Sequence, residues 1–307
     1  MKKTLKALLL GCVAFALVGP STAEAADPGR TVLTFLKIGV GARAAMMGDA
    51  YVAVADDATA SYWNPAGLLK IESNDVVGMH NEWIQDLRHE YAAVGVHRGR
   101  HGFGASFVGL YSDDIQARDD TGQEAGIFGY SDIAVSGSYA FELTEDLGVG
   151  GTIRYMRQSI DDENLSGVAF DFGGTWQTPV EGVEAGASMR HLGGSMSYDF
   201  TDAGSFDLPT TLQFGLAYRK IGFGGGGGLL LAGDILVASG DDASFRFGGE
   251  YKIREQFSVG AGYKAGLDNE DISFGLGYEK GVRLNYAFTP ISNDLGDSHR
   301  FALGYAW

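Results

Sequence analysis

From Leu212 to Trp307, apolar residues fall at every second position, in runs separated by short polar breaks. A period of two places each set on one face of a β-strand. Leu212, Phe214, Leu216 and Tyr218 oppose Gln213, Gly215, Ala217 and Arg219, and Phe257, Val259, Ala261 and Tyr263 oppose Ser258, Gly260, Gly262 and Lys264. The same reading holds at 244–251, 272–279, 282–288 and 300–307, and upstream at 133–141, 147–155, 168–176 and 183–189. Weaker alternation at 75–82, 90–97, 102–111 and 229–237 brings the sum to roughly fourteen strands of about ten residues. Large apolar side chains on one face and glycines, alanines and charges on the other suit a wall with hydrocarbon outside and a filled lumen inside. The expected fold is all-β, a transmembrane antiparallel β-barrel of the outer membrane over residues 73–307.

The breaks between strands support that order. If both termini lie in the periplasm, breaks after odd strands should be external and long, and those after even strands periplasmic and short. The stretches 83–88, 112–128, 158–166, 192–209, 239–242, 265–269 and 290–298 fall in the first class, and 98–100, 142–146, 178–181, 220–227, 252–254 and 279–281 in the second. Charge divides the same way. Asp113, Asp114, Asp119, Asp120, Asp161, Asp162, Glu163, Asp199, Asp202, Asp241, Asp242, Asp268 and Asp294 lie in the long breaks, and Arg98, Arg100, Lys220, Lys252, Arg254 and Lys280 in the short ones. The acidic loops read as a solvated rim, with divalent-cation bridging to glycolipid or docking of a basic partner as sharper alternatives.

Residues 1–25 read as a secretory signal peptide: Lys2, Lys3 and Lys6 precede an apolar stretch from Ala7 to Val18, and Ala23-Glu24-Ala25 follows as a cleavage motif. Cleavage there removes three lysines and one glutamate, taking the formal charge from −16 to −18. It also removes Cys12, the only cysteine, leaving no disulfide or thiolate chemistry. Such acidity argues against a nucleic-acid partner, which calls for a basic stripe.

One long part of the mature chain does not alternate, the run FLKIGVGARAAMMGDAYVAVADDATASYWNPAGLL at 35–69. Its glycines and alanines suit a chain packed inside a narrow space. Asn64 before Pro65 is an N-cap followed by proline at the first helical position, which predicts a short helix over Pro65–Lys70. Within this run Gly41, Arg43, Ala44, Met47, Gly48, Ala50, Asp56, Asp57, Ala58, Asn64, Pro65 and Gly67 resemble the N-terminal signature of the PorV/PorQ family of outer-membrane proteins, and more distantly of FadL-type channels. The resemblance implies that residues 26–72 form a hatch in the barrel mouth. Its hatch-motif residues would be Gly41, Arg43, Gly48, Asp56, Asp57, Asn64, Pro65 and Gly67.

The alternation turns Arg154, Asp171, Glu184, Arg190, Arg219, Asp234, Arg246, Glu250, Lys264, Arg283 and Arg300 inward, where mutual pairing and bonds to the hatch are expected over a conduction path. Asp56 and Asp57 are the expected partners of the inward arginines. Phe301, Leu303, Tyr305 and Trp307 form a terminal aromatic row that looks like a barrel-assembly signal. Catalytic, cofactor and metal sites are not expected. The Gly222–Gly227 run lacks the helix that a dinucleotide fingerprint needs, the six histidines have no ligand spacing, and no nucleophile motif occurs. Two functions follow from the resemblance: binding of secreted proteins or secretion-system components in type IX-like export, or FadL-like passive transport of hydrophobic small molecules. The expected partners are outer-membrane lipid and glycolipid, the barrel-assembly machinery and secretion components, and the expected location is the outer membrane of a Gram-negative-type bacterium.

Overall fold

The computed structural model describes residues 31–307 apart from 73, 162, 197–204, 224–226, 255, 268–269 and 294–295. The signal-peptide reading therefore lies outside the described residues, as do Asp162, Asp199, Asp202, Asp268 and Asp294 of the acidic loops.

The strands are β1 (Asn74–Glu82), β2 (Arg88–Arg98), β3 (His101–Tyr111), β4 (Ile115–Arg118), β5 (Glu124–Phe128), β6 (Tyr130–Thr144), β7 (Leu147–Ile160) and β8 (Glu163–Gln177). They continue as β9 (Val183–Leu192), β10 (Thr211–Phe223), β11 (Gly227–Ala238), β12 (Ser244–Ile253), β13 (Phe257–Ala265), β14 (Ile272–Lys280), β15 (Val282–Pro290) and β16 (Asp297–Ala306). All but β4 and β5 form one closed antiparallel barrel of fourteen strands, each paired with its neighbour in sequence, with β1 closing on β16. Asn74 and Trp307 exchange backbone hydrogen bonds of 3.2 Å at that seam. They mark what is called here the terminal end; the far end carries the longer connections.

The faces alternate along the strands. On β16, Phe301, Leu303 and Tyr305 point outward, while Ser298, Arg300 and Ala302 are buried. Outward Phe214, Leu216, Phe247, Phe274 and Leu276 continue an apolar surface around the wall. A continuous band of that kind exceeds what a soluble monomer leaves exposed and faces hydrocarbon instead.

The two weakest registers are settled. Val94 points outward opposite Val76 and Ala105, whereas Leu230 points inward and Leu231 takes the lipid-facing position. The structure departs from the sequence reading at 112–128, which is not an irregular loop. There β4 and β5 form a two-stranded hairpin beyond the barrel rim. Asp119 Oδ1 organises its turn, accepting from Thr121 N and Gln123 N at 2.9 Å and from Thr121 Oγ1 at 2.6 Å. Its strands are only four and five residues long and largely exposed, with Ile115 and Phe128 on one face and Ile127 on the other, too short a run for the alternation to stand out. Strands β6, β7 and β8 likewise run past their predicted ends, because ladder pairing continues after the apolar pattern stops.

Candidate functional site

Residues 32–71 run inside the barrel, and nearly every side chain among them is buried. Short helical turns at Ala42–Met46, Ala60–Trp63 and Pro65–Lys70 keep the segment compact. Asn64 caps the last turn as its sequence predicts, its Oδ1 accepting from Ala66 N at 3.2 Å, and the turn is a 3-10 helix. The same side chain ties the segment to itself and to the wall, donating to the carbonyls of Val52 at 2.8 Å and Gly174 at 3.0 Å.

Glycines in the wall make this packing possible. A Cβ on Gly262 would fall onto the backbone of Met47 and Gly48, and one on Gly248 onto the carbonyl of Met47. Gly48 itself has φ +64°, and a Cβ there would sit 2.8 Å from Tyr263 N. Backbone thus lies against backbone at the middle of the lumen.

Polar side chains fasten the segment at three levels. Toward the terminal end, Arg43 donates from Nε to Glu250 at 2.9 Å and from Nη1 to Asp56 at 2.6 Å, and Asp56 also takes Arg219 at 2.8 Å. Lys70 pairs with Glu184 at 3.0 Å, while Asp75 accepts from Ala58 N at 2.9 Å and pairs with Arg283 at 2.5 Å. At mid-depth, Asp234 Oδ2 accepts from the amides of Tyr51 at 2.8 Å and Val52 at 3.0 Å, and from Gln213 Nε2 at 2.7 Å. Toward the far end, Lys264 bridges Asp49 and Glu270, both at 2.6 Å, and Arg300 donates to the Gly39 carbonyl at 3.1 Å.

A separate pair sits wholly within the wall. Arg154 donates to Asp171 at 2.8 Å with both side chains buried, and Asp171 Oδ1 also accepts from His191 N at 2.7 Å. Arg154 and Arg190 both lie over the Tyr62 ring, 5.8 Å and 4.8 Å from its centroid. Arg246 reaches the far-end cavity alongside Arg190.

Two predicted placements need correction. Asp57 pairs with no arginine within 4 Å among the described residues; its carboxylate turns back onto Thr59, accepting from N at 2.9 Å and Oγ1 at 2.5 Å. That local turn takes up its Oδ1. Arg219 is no enclosed lumenal charge either, since it lies exposed at the terminal mouth, near the end of β10. The two histidines flanking the β2–β3 turn point to different partners: His97 Nδ1 meets the Ile71 carbonyl at 2.8 Å and His101 Nδ1 meets Tyr139 Oη at 2.8 Å.

Burial works to raise the Asp49 carboxyl, but Lys264 and then Arg300 outweigh it and hold it at about 2 against an ordinary 3.8. Asp56 is lowered as well; burial opposes the shift, and Arg43 and Arg219 drive it. A carboxylate depressed by folding contributes stability that is fully present above its unfolded value and is lost as pH falls through its folded one. The unfolding temperature of the barrel, read as loss of the compact unboiled species in electrophoresis, should therefore hold steady down to about pH 4 and fall toward about pH 2. Asp49→Asn should flatten part of that fall. Superimposable acid profiles for the two proteins would refute the assignment.

The family model described as type IX secretion system protein PorV matches residues 23–222. The chain belongs to the PorV family. That match contains the inner segment and most of the wall up to β10, and leaves the PorV-family barrel's Arg246, Glu250, Lys264, Arg283 and Arg300 outside it. Solved structures similar to this PorV-family chain include the CymD monoaromatic hydrocarbon channel, at TM-score 0.62 and 13% identity, covering 88% of this chain and 98% of that one. The Pseudomonas putida toluene transporter TodX follows at 0.61 and 13%, covering 87% and 98%, and a Pseudomonas aeruginosa FadL homologue at 0.54 and 13%, covering 92% and 99%. At these identities the likeness is one of fold, a FadL-like barrel. Comparison with curated protein sequences finds no match. Fold and family together locate the protein in the outer membrane.

Sequence reasoning on the PorV-like signature missed Asp49, Lys70 and Asp75. Asp49 is the one charged residue between Arg43 and Asp56, and an isolated acid in that small apolar stretch was the available signal.

Proposed function

We propose that this PorV-family protein is a non-enzymatic outer-membrane barrel that binds secreted proteins or components of a type IX-like secretion machinery at its far-end rim, with both termini in the periplasm and the inner segment serving as a permanent hatch. The observation that carries this reading is the hatch itself, fastened by hydrogen bonds and ion pairs at three depths of the lumen. A segment bound so densely is a poor gate for flux. Among the described residues, the mouths of the lumen hold cavities of about 290 Å³ and 420 Å³ at the terminal end and of about 230 Å³ at the far end, each with charged side chains in its lining that repel apolar solutes. The rim instead offers the β4–β5 hairpin, whose Ile127 is 65% exposed, as a protein-facing element. Assembly would engage the barrel-assembly machinery through the outward row Phe301, Leu303, Tyr305 and Trp307, and lipid and glycolipid would surround the wall.

Replacing Ile127 and Ile115 by serine should abolish co-purification of secreted proteins or secretion components from native membranes while leaving permeability to hydrophobic probes unchanged. Saturable probe uptake that requires the protein and ignores the hairpin substitutions would favour FadL-like passive transport and overturn the proposal.

A further inference from the structure

The far-end cavity is lined on its deep side by Arg190, Arg246, Lys264 and Arg300, together with Asp49 and Glu270. With Lys37, Asp241 and Asp242 at its rim, the whole lining holds five cations against four carboxylates, a formal excess of one positive charge. Most of these groups are accounted for. Lys264 holds both carboxylates at 2.6 Å, and Arg300 Nη1 donates to the Gly39 carbonyl at 3.1 Å with Asp49 at 3.8 Å. At the rim, Lys37 pairs with Asp241 at 2.8 Å.

Arg246 is different. It is 7% exposed and, among the described residues, makes no hydrogen bond or ion pair; its Nε and Nη1 are both buried without partners. Its register neighbour across the ladder is Asp234, whose Oδ2 is taken by the Tyr51 and Val52 amides and by Gln213, and whose buried Oδ1 makes no hydrogen bond to Arg246. Arg190 spends one nitrogen on Gln213 Oε1 at 2.9 Å and its face on Tyr62 and Trp63, leaving Nε and Nη1 unpaired. Two buried guanidiniums thus turn open donor edges to one cavity; Asp49 and Glu270 share its lining but hydrogen-bond to neither, and buried donors left without acceptors are costly until a ligand completes them.

We propose that the far-end cavity binds a small hydrophilic oxyanion, a carboxylate or phosphate group, through Arg190 and Arg246. The planar donor fork of arginine matches both groups bidentately. The cavity volume admits such a group, and the inner segment at Gly39 and Asp49 closes its floor to a long chain. This site is independent of the secretion reading, since nothing in it requires a protein partner.

Calorimetric titration of the full mature barrel in detergent, with sodium phosphate, succinate and dihexanoyl phosphatidic acid in turn, tests the proposal. At least one should bind at a single site, Arg246→Gln should weaken it tenfold or more, and Arg88→Gln, at the exposed Arg88–Asp113 pair, should leave it unchanged. Binding of phosphatidic acid without phosphate or succinate would support the site and assign a lipid as the source of the anion. Without added anion, Arg246→Gln should also keep its compact form to a higher temperature than wild type, because it removes an unpaired charge. No binding by any of the three, an affinity unmoved by Arg246→Gln, or an anion-free variant that unfolds earlier than wild type would overturn the proposal.

Discussion

Gly262→Leu is expected to abolish barrel formation. The new side chain would start where the backbone of Met47 and Gly48 already lies, and the adjoining Gly248 meets the Met47 carbonyl, so the inner segment cannot slide aside along the wall. Backbone on both sides removes the usual relief of a rotamer change, and overpacking a well-filled interior costs about 1–3 kcal/mol even where side chains can move. Folded protein recovered from outer membranes, scored as compact unboiled species, should fall to background. The comparison is Gly78→Leu on the outer face of β1, where a Cβ would meet nothing within 4 Å and recovery should match wild type. A compact Gly262→Leu barrel at normal levels would mean that the inner segment does not lie against β13.

The second large effect concerns the Arg154–Asp171 pair. Asp171→Leu leaves a fully buried guanidinium without its carboxylate and should cost about 3–5 kcal/mol. Pairing it with Arg154→Met removes both charges and should restore most of that loss, since an apolar replacement of a buried pair is close to neutral. Restoration should fall short of complete, because Asp171 also holds the amide of His191, a residue at φ +62° at the end of β9. Denaturation of the single and double variants in detergent gives the cycle directly. Equal stability of Asp171→Leu and wild type would show that Arg154 finds water or another acceptor, and the buried pair would then contribute nothing.

These two cases also mark what the sequence could and could not convey. The wall was legible because alternation is a local property: Leu212 to Tyr218 announce their face without reference to any other strand. The inward direction of Arg154, Asp171 and Arg300 followed from the same rule. Their partners did not, because pairing depends on which wall residue stands opposite which turn of the inner segment. Asp56 and Asp57 are adjacent and chemically identical, yet one reaches Arg43 and Arg219 while the other folds onto Thr59. Asp234 looked like a charge awaiting a cation and serves instead as an acceptor for two backbone amides. The β4–β5 hairpin escaped notice because solvent bathes both its faces, and only the Asp119-to-Gly122 turn hinted at it.

The seam between β1 and β16 sets a timetable for synthesis. Its closing bonds join Asn74 to Trp307, 233 positions apart, so the ring shuts only when the final strand has been made. The inner segment precedes β1, and a lumen that admits it backbone against backbone leaves no passage for Trp63 or Tyr62 to thread once the ring is shut. Strands must therefore be laid around an already seated core. Until the last one arrives, the growing sheet carries two bare hydrogen-bonding edges, which hydrocarbon will not solvate. Whatever machinery folds this chain has to shelter those edges for the whole of that interval.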